Sequence, residues 1–124
     1  MILVDTSVWI DHLRSSNAIL SDLLRQRQVL THPLMIGELA MGSMKQREMT
    51  LQFLHKMPRV TAGHDDEVMR FITRNKLFGL GLGYIDAHLL VAALLTPGTL
   101  LWTRDKRLFE IAQSLSLVYQ PAIQ

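Results

Sequence analysis

Short apolar segments alternate with longer helical patterns along this chain, and this alternation restricts the fold more than any other feature. The first segment, 2–4, consists of Ile, Leu and Val and is followed directly by Asp5. Short apolar strands separated by helices are typical of a parallel sheet that helices cover on both faces. The sequence therefore predicts an α/β fold, in which the polar groups that follow the strands meet at one edge of the sheet. The further strand candidates are 28–31, 99–103 and 117–119, with a weaker one at 59–61.

Helical patterns fill the segments between these strands. Thr6 or Ser7 is expected to cap the first helix, and Pro33 fits the first turn of the third. A length of 124 residues suits one domain, predicted to span 1–124. The predicted helices span 8–13, 17–26, 33–44, 46–57, 65–76, 85–95 and 106–115.

Composition excludes several classes of function. The chain has no cysteine, which rules out disulfides, thiolate zinc sites and a cysteine nucleophile, and which fits a reducing cytoplasm. Asp5 interrupts the apolar N-terminus, and the apolar run at 89–95 is much shorter than the roughly 20 residues of a membrane span, so neither a signal peptide nor a membrane partner is expected. The net charge of +2 permits a polyanionic partner without requiring one.

Four acidic residues stand in apolar surroundings or just after strands: Asp5, Glu38, Asp86 and Asp105. Taken singly, Asp5, Asp86 and Asp105 each fit a helix cap or a turn, whereas Glu38 requires a partner within its apolar helix. Taken together, they suggest one cluster of carboxylates, which is unfavourable unless a cation lies among them. An oxygen-only set of ligands suits Mg²⁺ or Mn²⁺. Basic side chains that could bind a polyanion lie nearby in sequence, at Arg14, Arg104, Lys106 and Arg107.

Three segments around these acids resemble motifs of PIN-domain nucleases. Segment 2–11 is similar to the opening motif of that family, 83–90 to its third acidic motif and 101–108 to its fourth, while Glu38 fits the second. In length and coverage the whole chain resembles the VapC toxins of bacterial toxin–antitoxin pairs. Segment 46–76 carries no motif that can be placed.

The resemblance implies a three-layer α/β/α sandwich with a central, mostly parallel sheet. It further implies cleavage of RNA, with transfer RNA as an expected substrate, by a site that holds one or two Mg²⁺ or Mn²⁺ ions. Asp5 and Asp86 would bind metal directly, Glu38 would act through a water, and the role of Asp105 varies among such sites. Ser7 and Thr103 match hydroxyl positions that support the acids. A small antitoxin and a second copy of the chain are the implied protein partners.

Two other classes of function stay open at this point. An aspartyl-phosphate hydrolase would also place Asp5 after the first strand, but it usually carries a second acid two residues on, where this chain has Ser7. A receiver-like phosphoacceptor would need a lysine after a later strand, and Lys106 is not in an equivalent place. The non-enzymatic alternative is an RNA-binding or partner-binding α/β domain whose acids are structural. His88, two residues from Asp86, is expected to be structural rather than part of the site.

Overall fold

Three short strands form a parallel sheet in the order β2-β1-β3. The computed structural model describes residues 1–121, so the last three residues of the predicted domain, 122–124, lie outside the described part. The central strand pairs with both neighbours, with Ile2 opposite Val29 on one side and Leu100 on the other. All but one of the strand residues are buried, as expected where helices cover both faces of a parallel sheet. The strands are β1 (Ile2–Val4), β2 (Val29–Leu30) and β3 (Leu100–Trp102).

Two of the predicted strands, 59–61 and 117–119, are wrong. Each segment contains a single parallel bridge and no strand. Arg59 is bridged to Thr31, and Val118 is bridged to Leu101. Pairing beyond Arg59 stops because the segment that holds Thr31 turns into a helix at Pro33, a residue that has no backbone N–H to donate. The sheet therefore has three true strands, with one bridged segment beside each outer strand.

Seven helices pack around this sheet within residues 1–121, which makes the fold the α/β sandwich that the sequence predicted. Pro33 opens the third helix as expected, but that helix ends three residues early, at Met41, because the backbone of the next residue, Gly42, is extended. The cap prediction for the first helix is wrong, because the helix begins at Thr6 and Asp5 occupies the N-cap position. The helices are α1 (Thr6–Arg14), α2 (Ala18–Arg25), α3 (Pro33–Met41), α4 (Arg47–Lys56), α5 (Asp65–Arg74), α6 (Tyr84–Leu95) and α7 (Lys106–Ser114).

Helix α6 lies in the interior. Every residue from Ala87 to Ala93 is buried, and apolar side chains point in all directions, which is the pattern of a helix surrounded by protein. It contacts α3, α5 and β3, so its first turn is held against the edge where β1 and β3 end. Trp9 and Trp102 are buried in the core. None of the helices described here is both long enough and apolar enough to cross a bilayer.

Candidate active site

Asp5 lies at the junction of β1 and α1, at the carboxyl edge of the sheet. Its backbone N–H donates to the carbonyl of Trp102 at 2.9 Å, which ties the end of β1 to the end of β3. Its carboxylate is only 5% exposed, and Oδ2 accepts hydrogen bonds from the hydroxyls of Ser7 and Thr103, each at 2.7 Å. Although Asp5 is the N-cap residue, its side chain makes no capping hydrogen bond. The carboxylate is therefore held by hydroxyls and not by the helix that it precedes.

Ser7 and Thr103 connect the strand ends beneath this carboxylate. The Ser7 hydroxyl accepts from the backbone N–H of Arg104 at 2.9 Å, and the Thr103 hydroxyl accepts from that of Asp105 at 3.0 Å. Each hydroxyl donates its proton to Asp5 and accepts from a backbone N–H. The direction of its donor and the direction of its acceptor are therefore both fixed. The arrangement fixes one rotamer of Asp5.

Asp86 lies in the first turn of α6, and its Oδ2 accepts from the backbone N–H of Gly83 at 3.0 Å. Burial is the largest influence on its pKa and raises it, while the Gly83 hydrogen bond opposes the shift. Repulsion from the carboxylates of Asp5, Asp105 and Glu38 raises the same pKa further. Electrostatic repulsion of this kind requires proximity, so the fold brings the four predicted acids into one neighbourhood.

The other two acids are exposed and also have local partners. Asp105 caps α7, because its Oδ1 accepts from the backbone N–H of Leu108 at 3.0 Å. Glu38 accepts from the hydroxyl of Thr6 at 2.7 Å. The expectation that Glu38 lies in apolar surroundings is wrong, since α3 turns Met35, Ile36 and Leu39 inward and leaves Glu38 on its exposed side.

The donor set fits a hard divalent cation. It consists of carboxylate oxygens, and within residues 1–121 hydrogen bonds engage Oδ2 of Asp5 but not its Oδ1. Repulsion at Asp86 supplies a reason for a cation to bind there. In the described part of the chain, no group of three His, Cys, Asp or Glu side chains has the arrangement of a complete metal site. The carboxylates are near one another but do not form a complete coordination shell.

The predicted phosphate-binding residues have different surroundings. Arg104 is paired with Asp11, with Nε 3.0 Å from Oδ2, so α1 orients its side chain. The guanidinium of Arg107 packs on Gly81, where any Cβ would overlap it. Lys106 is exposed on α7, and Arg14 is exposed at the end of α1, on a groove that Glu38 also lines.

Sequence reasoning missed several partners of the acids. Thr6 was predicted only as a cap, and no role was predicted for Asp11, although they bind Glu38 and Arg104 respectively. It also missed that His88 is buried and lies 3.2 Å from a carboxylate oxygen of Asp65. The available signal was a histidine two residues after Asp86 in an otherwise apolar helix.

Comparisons with known proteins agree with this geometry. The family model described as PIN domain matches residues 2–114. The chain is 51% identical over 108 residues to Ribonuclease VapC32 of Mycobacterium tuberculosis, in strain CDC 1551 / Oshkosh and equally in strain ATCC 25618 / H37Rv. The aligned region covers 87% of this chain and 87% of each relative.

Proposed function

This chain belongs to the PIN-domain family of VapC ribonucleases, and on that premise we propose that it is the toxin of a toxin–antitoxin pair and cleaves RNA in the cytoplasm with the help of Mg²⁺ or Mn²⁺. The observation that carries the proposal is that hydrogen bonds hold the carboxylates of Asp5 and Asp86 at the carboxyl edge of the sheet, near enough for Asp5, Asp105 and Glu38 to raise the pKa of Asp86. A half-buried carboxylate under such repulsion costs stability unless a cation neutralises it. Ribonuclease is also the activity in the name of the relatives.

Asp5 and Asp86 are the proposed direct ligands of the metal. Both are at least partly buried, and both are oriented by hydrogen bonds to one oxygen. Glu38 and Asp105 are exposed, so we assign them to the outer part of the site, with Glu38 acting through a water. When bound, the ion lowers the pKa of a water and stabilises negative charge on a phosphoryl group.

The residues of the chain supply orientation and charge. Ser7 and Thr103 keep Asp5 in one rotamer, and the Gly83 N–H does the same for Asp86. The proposed contacts to the RNA phosphates come from basic side chains beside the acids, because arginine and lysine neutralise a phosphate backbone. No side chain needs to become a covalent nucleophile. The four proposed phosphate-binding residues are Arg14, Arg104, Lys106 and Arg107.

The proposed partners are an antitoxin and a second copy of the chain. A groove of about 820 Å³ runs beside α1 and α3, and Glu38 and Arg14 line it together with Ile10, Leu13 and Leu39. An antitoxin segment seated there would cover one side of the acid neighbourhood, which is why we assign the groove to it. Transfer RNA is the proposed substrate class, and a homodimer the proposed assembly, both from the family.

The test is metal-dependent cleavage by purified wild type, Asp5→Asn and Asp86→Asn. We expect Mn²⁺ to raise the melting temperature of wild type, and each substitution to abolish that gain together with RNA cleavage. Asp22→Asn is the matched control, because Asp22 is an exposed acid on α2 that pairs with Arg25. If Asp5→Asn cuts RNA as fast as wild type, the proposed mechanism is wrong and an RNA-binding or partner-binding domain becomes the better interpretation.

A further inference from the structure

Four polar side chains connect α5, α6 and the start of α3 behind the acids: Asp65, Tyr84, His88 and His32. Oδ1 of Asp65 accepts from the Tyr84 hydroxyl at 2.8 Å and lies 3.2 Å from Nε2 of His88. The Tyr84 and His88 rings stand edge to face, with centroids 4.7 Å apart. Asp65 is largely exposed, whereas His88 and His32 are buried, so the cluster runs from the surface into the core.

The hydrogen bonds at the two ends of the cluster assign the tautomers of both histidines. Nδ1 of His32 accepts from the backbone N–H of Leu34 at 3.0 Å, so the neutral ring carries its proton on Nε2. Nε2 of His88 lies 3.2 Å from a carboxylate oxygen of Asp65, which can only accept, so Nε2 carries the proton and the neutral ring has its lone pair on Nδ1. Burial, followed by the proximity of His88, lowers the pKa of His32 to about 4, which keeps it neutral at pH 7.

The remaining nitrogens are complementary. His32 Nε2 and His88 Nδ1 are buried and have no hydrogen-bond partner within residues 1–121, and their rings are in contact with centroids 5.9 Å apart. Nε2 of His32 is the donor, and Nδ1 of His88 is the acceptor. Buried polar groups in native proteins are nearly always satisfied, either directly or by an ordered water.

We propose that His32 donates from Nε2 to Nδ1 of His88 through one buried water, and that this histidine relay positions Asp86. The inference rests on the proposed function, because the role of Asp86 as a metal ligand comes from there. Asp86 lies between Tyr84 and His88 in the first turn of α6, and both of these neighbours are tied to Asp65. The relay thereby sets the rotation of α6 about its axis and with it the direction of the Asp86 carboxylate.

The relay does for Asp86 what the two hydroxyls do for Asp5. Asp5 is next to a strand, so sheet hydrogen bonds fix its backbone against β3. Asp86 is on a helix whose buried side chains other than His88 are apolar, so the contacts of Tyr84 and His88 with Asp65 supply its directional side-chain bonds to α5. Residues that orient a metal ligand through its neighbours commonly change metal affinity or activity by about 10- to 100-fold when they are lost.

The first part of the test reads the tautomers without using activity. Long-range ¹H–¹⁵N NMR correlation of the imidazoles in the metal-free full chain at pH 7 should show both His32 and His88 protonated on Nε2, with the His32 proton protected from exchange. A proton on Nδ1 of either ring would overturn the relay. The result does not depend on whether the protein cleaves RNA.

The second part measures the Mn²⁺ dissociation constant by EPR of the free ion, for wild type, His32→Leu and His32→Gln. His32→Leu should weaken binding about 10-fold, whereas His32→Gln, which keeps an N–H near the place of Nε2, should retain most of the affinity. His55→Leu is the matched control, because His55 is exposed on α4.

The outcomes separate the relay from the proposed function. Equal Mn²⁺ affinity of wild type and His32→Leu would overturn the positioning role while leaving the nuclease proposal intact. Absence of Mn²⁺ binding by wild type would overturn the proposed function, and the NMR result would still decide whether the relay exists. Loss of stability alone, measured by thermal unfolding with no change in the dissociation constant, would also count against positioning.

Discussion

The two halves of the candidate active site are held in different ways. In the strand half, Asp5 and Asp105 follow β1 and β3, and hydrogen bonds through Ser7 and Thr103 join the two loops. In the helix half, Glu38 and Asp86 lie on α3 and α6, which are joined mainly by apolar packing. Directional bonds define the strand half, whereas the helix half depends on how α3 and α6 pack against each other.

The largest expected effect on cleavage from a supporting residue lies in the strand half. Thr103→Val keeps the shape of the side chain but removes the hydroxyl that donates to Asp5, and it should lower the rate of RNA cleavage about 10- to 100-fold. Thr99→Val is the control, because the Thr99 hydroxyl is buried but has no hydrogen-bond partner within residues 1–121. Initial rates at saturating Mn²⁺ measure the difference. Equal rates for Thr103→Val and Thr99→Val would show that the hydroxyl does not orient Asp5.

The difference between the two halves also shows which parts of the site could be predicted from the sequence. Asp5 was correctly expected at the end of β1, because a short apolar run followed by an acid indicates a buried strand of a parallel sheet and the residue after it. The exposure of Glu38 could not be predicted from its three apolar neighbours, because it depends on which side of α3 packs on the core. The partners of Asp86 on α5 could not be predicted, since no local pattern shows which distant helix packs on α6.

The bounds of the strands could not be predicted fully for the same reason. Segments 59–61 and 117–119 have apolar residues of the right kind, but a strand exists only where a neighbour offers its backbone groups. At 59–61 the pairing ends because the neighbouring segment turns into α3 at Pro33, which no local pattern around Thr61 indicates. By contrast, Pro33 acts through its own backbone and Glu67 through the nearby N–H of His64, and the starts of both helices were predicted correctly.

A second prediction concerns pH and the helix half. The pKa of His32 falls from 6.5 to about 4 on folding, so below pH 6.5 the unfolded chain binds a proton that the folded chain excludes. Stability is therefore lost as the pH falls from 6.5 towards 4, by about 2 kcal/mol at pH 5. Urea unfolding between pH 7 and 5 measures this slope. His32→Gln should flatten it and His55→Gln should not; an unchanged slope in His32→Gln would exclude His32 as its source.

A third, smaller effect is expected at the exposed acid of the helix half. Glu38→Gln removes the charge but keeps an acceptor for the Thr6 hydroxyl, and solvent screens the lost interaction. The rate of cleavage should fall by less than about 10-fold, below the effect of Thr103→Val. Measured under the same conditions, a larger loss than in Thr103→Val would make Glu38 a direct ligand and reverse the ranking of the two halves.

The smallest effect is expected at the basic side chains. Arg107→Gln removes one proposed phosphate contact, so KM should rise a few-fold while kcat stays constant, and the salt dependence of RNA binding should weaken by about one counterion. Arg74→Gln on α5, an exposed arginine away from the acids, is the control. A fall in kcat with unchanged KM would show that Arg107 acts in the cleavage step and not in substrate binding.

The most direct measurement is the free energy of unfolding of wild type and Asp86→Asn, each with and without Mn²⁺. If four carboxylates repel one another until a cation binds, metal-free Asp86→Asn is more stable than metal-free wild type at pH 7. Mn²⁺ then stabilises wild type, by about 2.7 kcal/mol at 100 times its dissociation constant, and leaves Asp86→Asn unchanged. A metal-free Asp86→Asn that is less stable than wild type, together with equal gains from Mn²⁺ in both proteins, would contradict a shared acidic metal site.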